Sequence, residues 1–132
     1  MKEIKYKAWD TINKRWLNLA SIVISITGGV VGVYDLDNEL YGLHQVDLVQ
    51  FTGWKDKNGV EIYDEDVARL FMVRKGVMSI YWESCEVFFR NGRWNVGYPE
   101  GQGQHLWDWI RDPGTYAIEI IGNKSEHPDL LK

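Results

Sequence analysis

A chain of 132 residues and 15.4 kDa carries one domain's worth of sequence. With 45% hydrophobic and 26% charged residues it can bury a core, which excludes a disordered chain. A net charge of -4 and a pI near 5.3 exclude a generic basic phosphate-binding surface. The single cysteine, Cys85, excludes a disulfide framework and a cysteine-rich zinc site within one copy.

The N-terminus lacks the apolar stretch of a secretory signal. A first strand is predicted over 4–9, with Ile4, Tyr6 and Ala8 on one face and Lys5, Lys7 and Trp9 on the other. A turn follows over 11–14, and Trp16 opens the next strand. The 19 residues 16–34 are uncharged, close to the length that crosses a bilayer. Asn18, Ser21, Ser25, Thr27, Gly28, Gly29, Gly32 and the many β-branched residues favour a buried hairpin instead. In it Ile22, Ile24 and Ile26 share one face, Val23, Ser25 and Thr27 the other, and Gly28-Gly29 forms a two-residue turn at positive φ. The expectation is therefore a cytoplasmic protein with no membrane span.

A polar loop over 35–38 and a strand over 46–52 ending at Gly53 come next. Asn58-Gly59 is the strongest short hairpin signal, flanked by Trp54 and by Val60, Ile62 and Tyr63. Strands over 67–73 and 77–89 meet at Lys75-Gly76, and Asn91-Gly92 precedes Trp94, Val96 and Tyr98. Residues 99–104 read as a mobile surface loop, and 106–111 as either a strand or a short helix. After the Asp112-Pro113-Gly114 turn, a final strand over 116–121 leads to a short helical turn within 125–132, where Leu130 and Leu131 dock on the body. The fold class is mainly β: short antiparallel strands forming a small barrel or sandwich with hairpins, and a short C-terminal helical turn. Residues 1–132 read as one domain, with an N-terminal hairpin subdomain over 1–45 as the admissible division.

Charge is uneven. Residues 1–16 carry five basic and two acidic side chains, and 35–66 carry nine acidic and two basic. Both stretches read as solvated faces, which could also orient copies head to tail.

Three segments, in this order, resemble the YopX-like family of phage and prophage proteins. They are Ile4-Lys5-Tyr6-Lys7-Ala8-Trp9-Asp10, the stretch from Val49-Gln50-Phe51-Thr52-Gly53 through Lys55-Asp56-Lys57-Asn58-Gly59 to Asp66-Val67, and Ile118-Glu119-Ile120-Ile121-Gly122-Asn123 with 128–131 after it. Trp54 stands where the family usually has a smaller aliphatic residue, Glu65 where a glycine is common, and Lys124, Ser125 and His127 depart from the usual tail. A non-glycine at 65 predicts altered or strained backbone. The resemblance implies a β-rich fold, a phage or prophage origin and self-association, and it brings no catalytic residues. The central segment reads physically as a tight hairpin: Asn58 and Gly59 at φ > 0, a wet tip of Lys55, Asp56 and Lys57, and a Thr52 hydroxyl bonded to a local amide.

Motifs for chemistry are missing. His44, His105 and His127 have no metal-ligand spacing. Asp35-x-Asp37-x-Glu39 begins like a calcium loop, but Leu40 replaces the required glycine and Val46 the bidentate glutamate. Asp64-Glu65-Asp66 reads as a strand-entry turn. Gly101-x-Gly103 and Gly122-Asn123-Lys124-Ser125 both lack a glycine that phosphate loops need. Cys85 reads as a buried inert thiol. No catalytic, cofactor or metal residue is assigned, and no enzyme activity is expected.

Seven tryptophans stand out. Trp9, Trp16, Trp82 and Trp94 fall in strand patterns and belong to the core or its margin. Trp107 and Trp109 would point the same way if 106–111 is a strand, and then either fill the core or form an aromatic edge. With Arg111 and Trp54 they make the candidate interface. The leading expectation is a self-associating, non-catalytic accessory protein that binds a host or phage protein. The alternative is a small β-barrel for single-stranded nucleic acid, using Arg69, Arg74, Lys75, Arg90 and Arg93 with Trp94 or Tyr81 as stacking platforms.

Overall fold

The computed structural model describes residues 5–101 and 103–131; Ile4, placed above in the first strand, lies outside them. The mainly β, antiparallel class holds, with three short 3-10 turns and no α-helix among the described residues. The chain divides into two compact units, Lys5–Gln50 and Phe51–Lys132, with the boundary inside one unbroken strand.

The N-terminal unit starts with β1 (Tyr6–Asp10), β2 (Arg15–Trp16), β3 (Leu19–Ile24), β4 (Val30–Asp35) and β5 (Leu40–Gly42). After a 3-10 turn, Leu43–Gln45, the first half of β6 (Val46–Lys55) pairs antiparallel with β1, from Tyr6↔Gln50 to Asp10↔Val46. Alternation buries Ala8 and Val46, which join Val33 in a small core against Leu17, Leu19, Ile22, Tyr41 and Leu48.

The predicted hairpin forms as β3 and β4, but its burial is confined to β4 and its tip is exposed. Ile24 is 61% exposed and Ile26 fully so. Register shifts between Val23 and Ile24, which breaks the alternation that would have aligned Ile24 with Ile22. The turn also spans five residues rather than two, with Ser25 N–H donating to Gly29 O at 2.7 Å and only Gly28 of the two glycines at positive φ.

In the C-terminal unit, the second half of β6 pairs with β7 (Glu61–Tyr63). A five-stranded antiparallel sheet has the order β11-β10-β9-β8-β12. Its strands are β8 (Asp66–Arg74), β9 (Val77–Arg90), β10 (Arg93–Gly97), β11 (Gly103–His105) and β12 (Tyr116–Asn123). Asn91 and Gly92, at φ 56° and 77°, make the two-residue turn that the sequence predicts, and so do Lys75 and Gly76 at 50° and 75°. One face of the sheet buries Leu70, Cys85, Val87, Val96 and Ile118 with Ile62, Leu106 and Trp109. The C-terminal 3-10 turn, Pro128–Leu131, docks on β9 through a 2.7 Å bond from the Ser84 hydroxyl to Leu130 O.

The acidic stretch is not a solvated face, because several of its carboxylates are buried as turn anchors. Asp35 accepts from Asp37 N–H, Glu39 N–H and the Tyr41 hydroxyl. Asp56 accepts from Asn58 N–H and Val60 N–H on one oxygen and from Ile120 N–H of β12 on the other, at 2.8–2.9 Å. Asp56 is therefore buried rather than part of a wet tip, and only Gly59, not Asn58, has positive φ. The Thr52 hydroxyl accepts from Trp54 N–H as expected and also donates to Ile62 O at 2.8 Å. Asp10 does the same work for the 11–14 turn, and the Asn13 backbone and side-chain amides hold its carboxyl below the usual carboxylate range. Glu65, where relatives favour glycine, sits at φ 68°, as the departure predicts.

Candidate functional site

Trp107 and Trp109 part company. Residues Leu106–Trp109 form a 3-10 turn, capped where His105 Nδ1 accepts from Trp107 N–H at 3.3 Å. Three residues per turn eclipse Leu106 with Trp109, and both are buried. The same geometry sets Trp107 roughly 120° around the axis from Trp109, and Trp107 is 42% exposed. The shared direction that a strand would give does not exist here.

Each indole finds its own partners. Trp107 lies against Trp54, ring centroids 5.5 Å apart, so these two candidate interface residues form one surface aromatic pair. Trp109 is wedged between Tyr81 at 5.2 Å and Tyr116 at 4.9 Å, and its indole N–H donates to Gln104 Oε1 at 3.0 Å. Around this stack opens a cleft of about 300 Å³ lined by Met72, Tyr81, Gln104, Asp108, Trp109, Arg111 and Tyr116. Arg111 pairs with Asp108 at 3.3 Å on its rim.

The residues proposed for nucleic acid do not make one patch. Arg69 is taken up by Glu83 at 3.2 Å and Glu119 at 3.5 Å. Arg74 and Lys75 sit at one end of β9, Arg90 and Arg93 at the other. Fourteen residues of strand separate them, a contour of about 46 Å at ~3.3 Å per residue. Trp94 is buried edge-on against Phe89 and offers no stacking face, whereas Tyr81 is half exposed but already packed on Trp109.

The sequence reading missed the outer part of β9. Val77, Met78, Ile80 and Tyr81 are all 47–68% exposed. They pair with β8 on one side, from Arg74↔Val77 to Phe71↔Ile80. On the other side β10 covers only Glu86 to Arg90, so among the described residues no strand pairs β9 over 77–85. The signal was an apolar run without the strict alternation of a half-buried strand.

The ionisable groups are placed for structure. Cys85 is wholly buried, its thiol donates to Ala68 O at 3.4 Å, and desolvation pushes its pKa up to about 12. Burial raises Glu86 despite Lys124 Nζ at 3.8 Å, yet Glu86 does not line the cleft around Trp109. Among the described residues no group of histidine, cysteine or carboxylate side chains could hold a metal ion, and no helix is long and apolar enough to cross a membrane.

Comparison with known proteins bears on the fold and the family. A crystal structure of a protein from Enterococcus faecalis is similar over all of both chains, at a TM-score of 0.71 and 21% identity. The X-ray structure of YopX from Bacillus subtilis is similar over the same full extent, at 0.63 and 22%. No curated protein matches. The family model described as "YopX protein" matches residues 5–132, and the chain belongs to the YopX family.

Proposed function

We propose that this YopX-family chain is a non-catalytic binding module of phage or prophage origin. It acts in the host cytoplasm, associates with copies of itself and takes a protein partner. The observation that carries the reading is the open, apolar edge of β9 at Val77, Met78, Ile80 and Tyr81. An exposed strand edge with apolar faces invites a further strand. A second copy suits it on charge: antiparallel pairing of two β9 edges brings Arg74 and Lys75 of one copy toward the exposed Glu83 of the other. The Trp54–Trp107 pair supplies a separate aromatic anchor for a protein partner. Catalysis finds little support, because Cys85 is a desolvated thiol and Asp10, Asp35 and Asp56 are occupied by turn amides.

Size-exclusion chromatography with light scattering at tens of micromolar tests the association. We expect a dimer or larger species, and an Ile80→Lys variant of unchanged circular dichroism that runs as a monomer. A monomeric wild-type protein overturns the association. Partner capture that persists in a Trp54→Ala/Trp107→Ala variant overturns the role of the aromatic pair. Single-stranded nucleic acid is the weaker reading, since its arginines are divided between the two ends of β9.

A further inference from the structure

We infer that the β9–β10 hairpin end is a binding site for a phosphate-class oxyanion, built around Arg90 and Arg93. These arginines are direct cross-strand partners beside the Asn91-Gly92 turn. Like charges placed directly opposite one another destabilise a ladder. Nothing nearby relieves them: among the described residues neither guanidinium has a carboxylate within ion-pair distance.

Neutral groups hold them in place instead. Arg93 Nε donates to Asn95 Oδ1 at 2.8 Å, and the Asn95 amide donates in turn to Arg90 O and Arg93 O. Asn95 is 4% exposed, so this brace is fixed. Arg90 lies over the Phe88 ring at 4.9 Å and donates from Nη1 to Gly101 O at 3.3 Å. Both guanidinium groups keep unused N–H donors. They border a cleft of about 270 Å³, lined by Phe88, Arg90, Asn91, Arg93, Asn95, Gly101 and Gly103, with no acidic side chain among the described residues of its wall. Gly103 is part of the fit: a Cβ there would lie 2.6 Å from the Phe88 ring and 3.0 Å from Asn95 Cβ.

Two oriented guanidinium groups around a polar cleft match the tetrahedral oxygens of a phosphate, which can take paired N–H donors from each. The ligand class is a phosphate or phosphate ester, either a free monoester or the backbone of a nucleic acid. The site does not depend on self-association, because every residue in it belongs to one chain.

Isothermal titration at low ionic strength tests it, with inorganic phosphate, a 5′-mononucleotide and a twelve-residue oligothymidylate as probes. Phosphate is expected to bind, with Arg90→Gln and Arg93→Gln each weakening it at least ten-fold and Arg74→Gln/Lys75→Gln, at the other end of β9, changing it less than two-fold. An oligonucleotide at least ten-fold tighter than the mononucleotide, and lost steeply with salt, assigns the site to a nucleic-acid backbone. Comparable binding of the two assigns it to a monoester. In phosphate-free buffer Arg93→Gln should unfold at a higher temperature than wild type, and added phosphate should stabilise wild type alone. Absence of phosphate binding, or equal affinity in the Arg90 and Arg93 variants, overturns the proposal.

Discussion

Single side chains carry more of this fold than their types suggest. Asp56 ties a hairpin turn to β12 by accepting three backbone N–H groups, two within the turn and one from Ile120. Removing a charged acceptor that serves three partly buried donors costs more than one ordinary hydrogen bond, so Asp56→Ala should lower stability by about 3 kcal/mol in urea titration. The two indoles of the 3-10 turn should separate just as clearly. Trp109→Ala empties a core position and should cost about 3–5 kcal/mol, whereas Trp107→Ala, at a half-exposed site, should cost under about 1 kcal/mol. The Cys85 thiol gives a pH signature. Its pKa lies near 9.0 without the protein environment and about 12 when folded, so the folded state prefers the protonated form. Its contribution is intact below pH 9 and is lost as pH rises toward 12. By pH 10 the loss should amount to about 1 kcal/mol, read as a steeper alkaline decline in wild type than in Cys85→Ala.

Among the elements, hairpins set register and exposed strands set liability. Asn91-Gly92 and Lys75-Gly76 adopt the same pair of positive φ angles, but lysine tolerates the left-handed region less well than asparagine. Lys75→Asn should therefore raise the urea midpoint by about 0.5 kcal/mol equivalent. The β9 strand is the opposite case: its inner half is buried between β8 and β10, and its outer half leaves the sheet uncovered on one edge. That contrast within one strand is why the proposed self-association would use residues 77–81.

For the whole molecule, association links stability to concentration. If the β9 edge is covered in the assembly, the unfolding temperature should rise across a hundred-fold increase in protein concentration and stay flat for Ile80→Lys. A wild-type unfolding temperature independent of concentration would count against association at that edge. The division of the chain into two cores matters at this scale too. The N-terminal unit rests on Ala8, Val33 and Val46, and the C-terminal unit on ten buried residues. Substitutions at Leu70 or Val87 should thus cost more than equivalent ones at Ile22 or Leu48.

What could be read from the chain was whatever is decided over a few residues. The β class, the turns at 75–76 and 91–92, the Thr52 contact with its neighbouring amide and the strained backbone at Glu65 all follow from local φ preferences and alternation. The burial of Asp35 and Asp56, the opposite fates of Trp107 and Trp109, and the separation of Arg74 from Arg90 do not. A buried aspartate needs a distant amide such as Ile120, and an indole's direction depends on whether a short segment winds or extends. Whether two arginines form one patch depends on the length of strand between them. Those outcomes were fixed when separate segments packed together, because only then do desolvation and non-local hydrogen bonds decide between conformations that neighbouring residues allow equally.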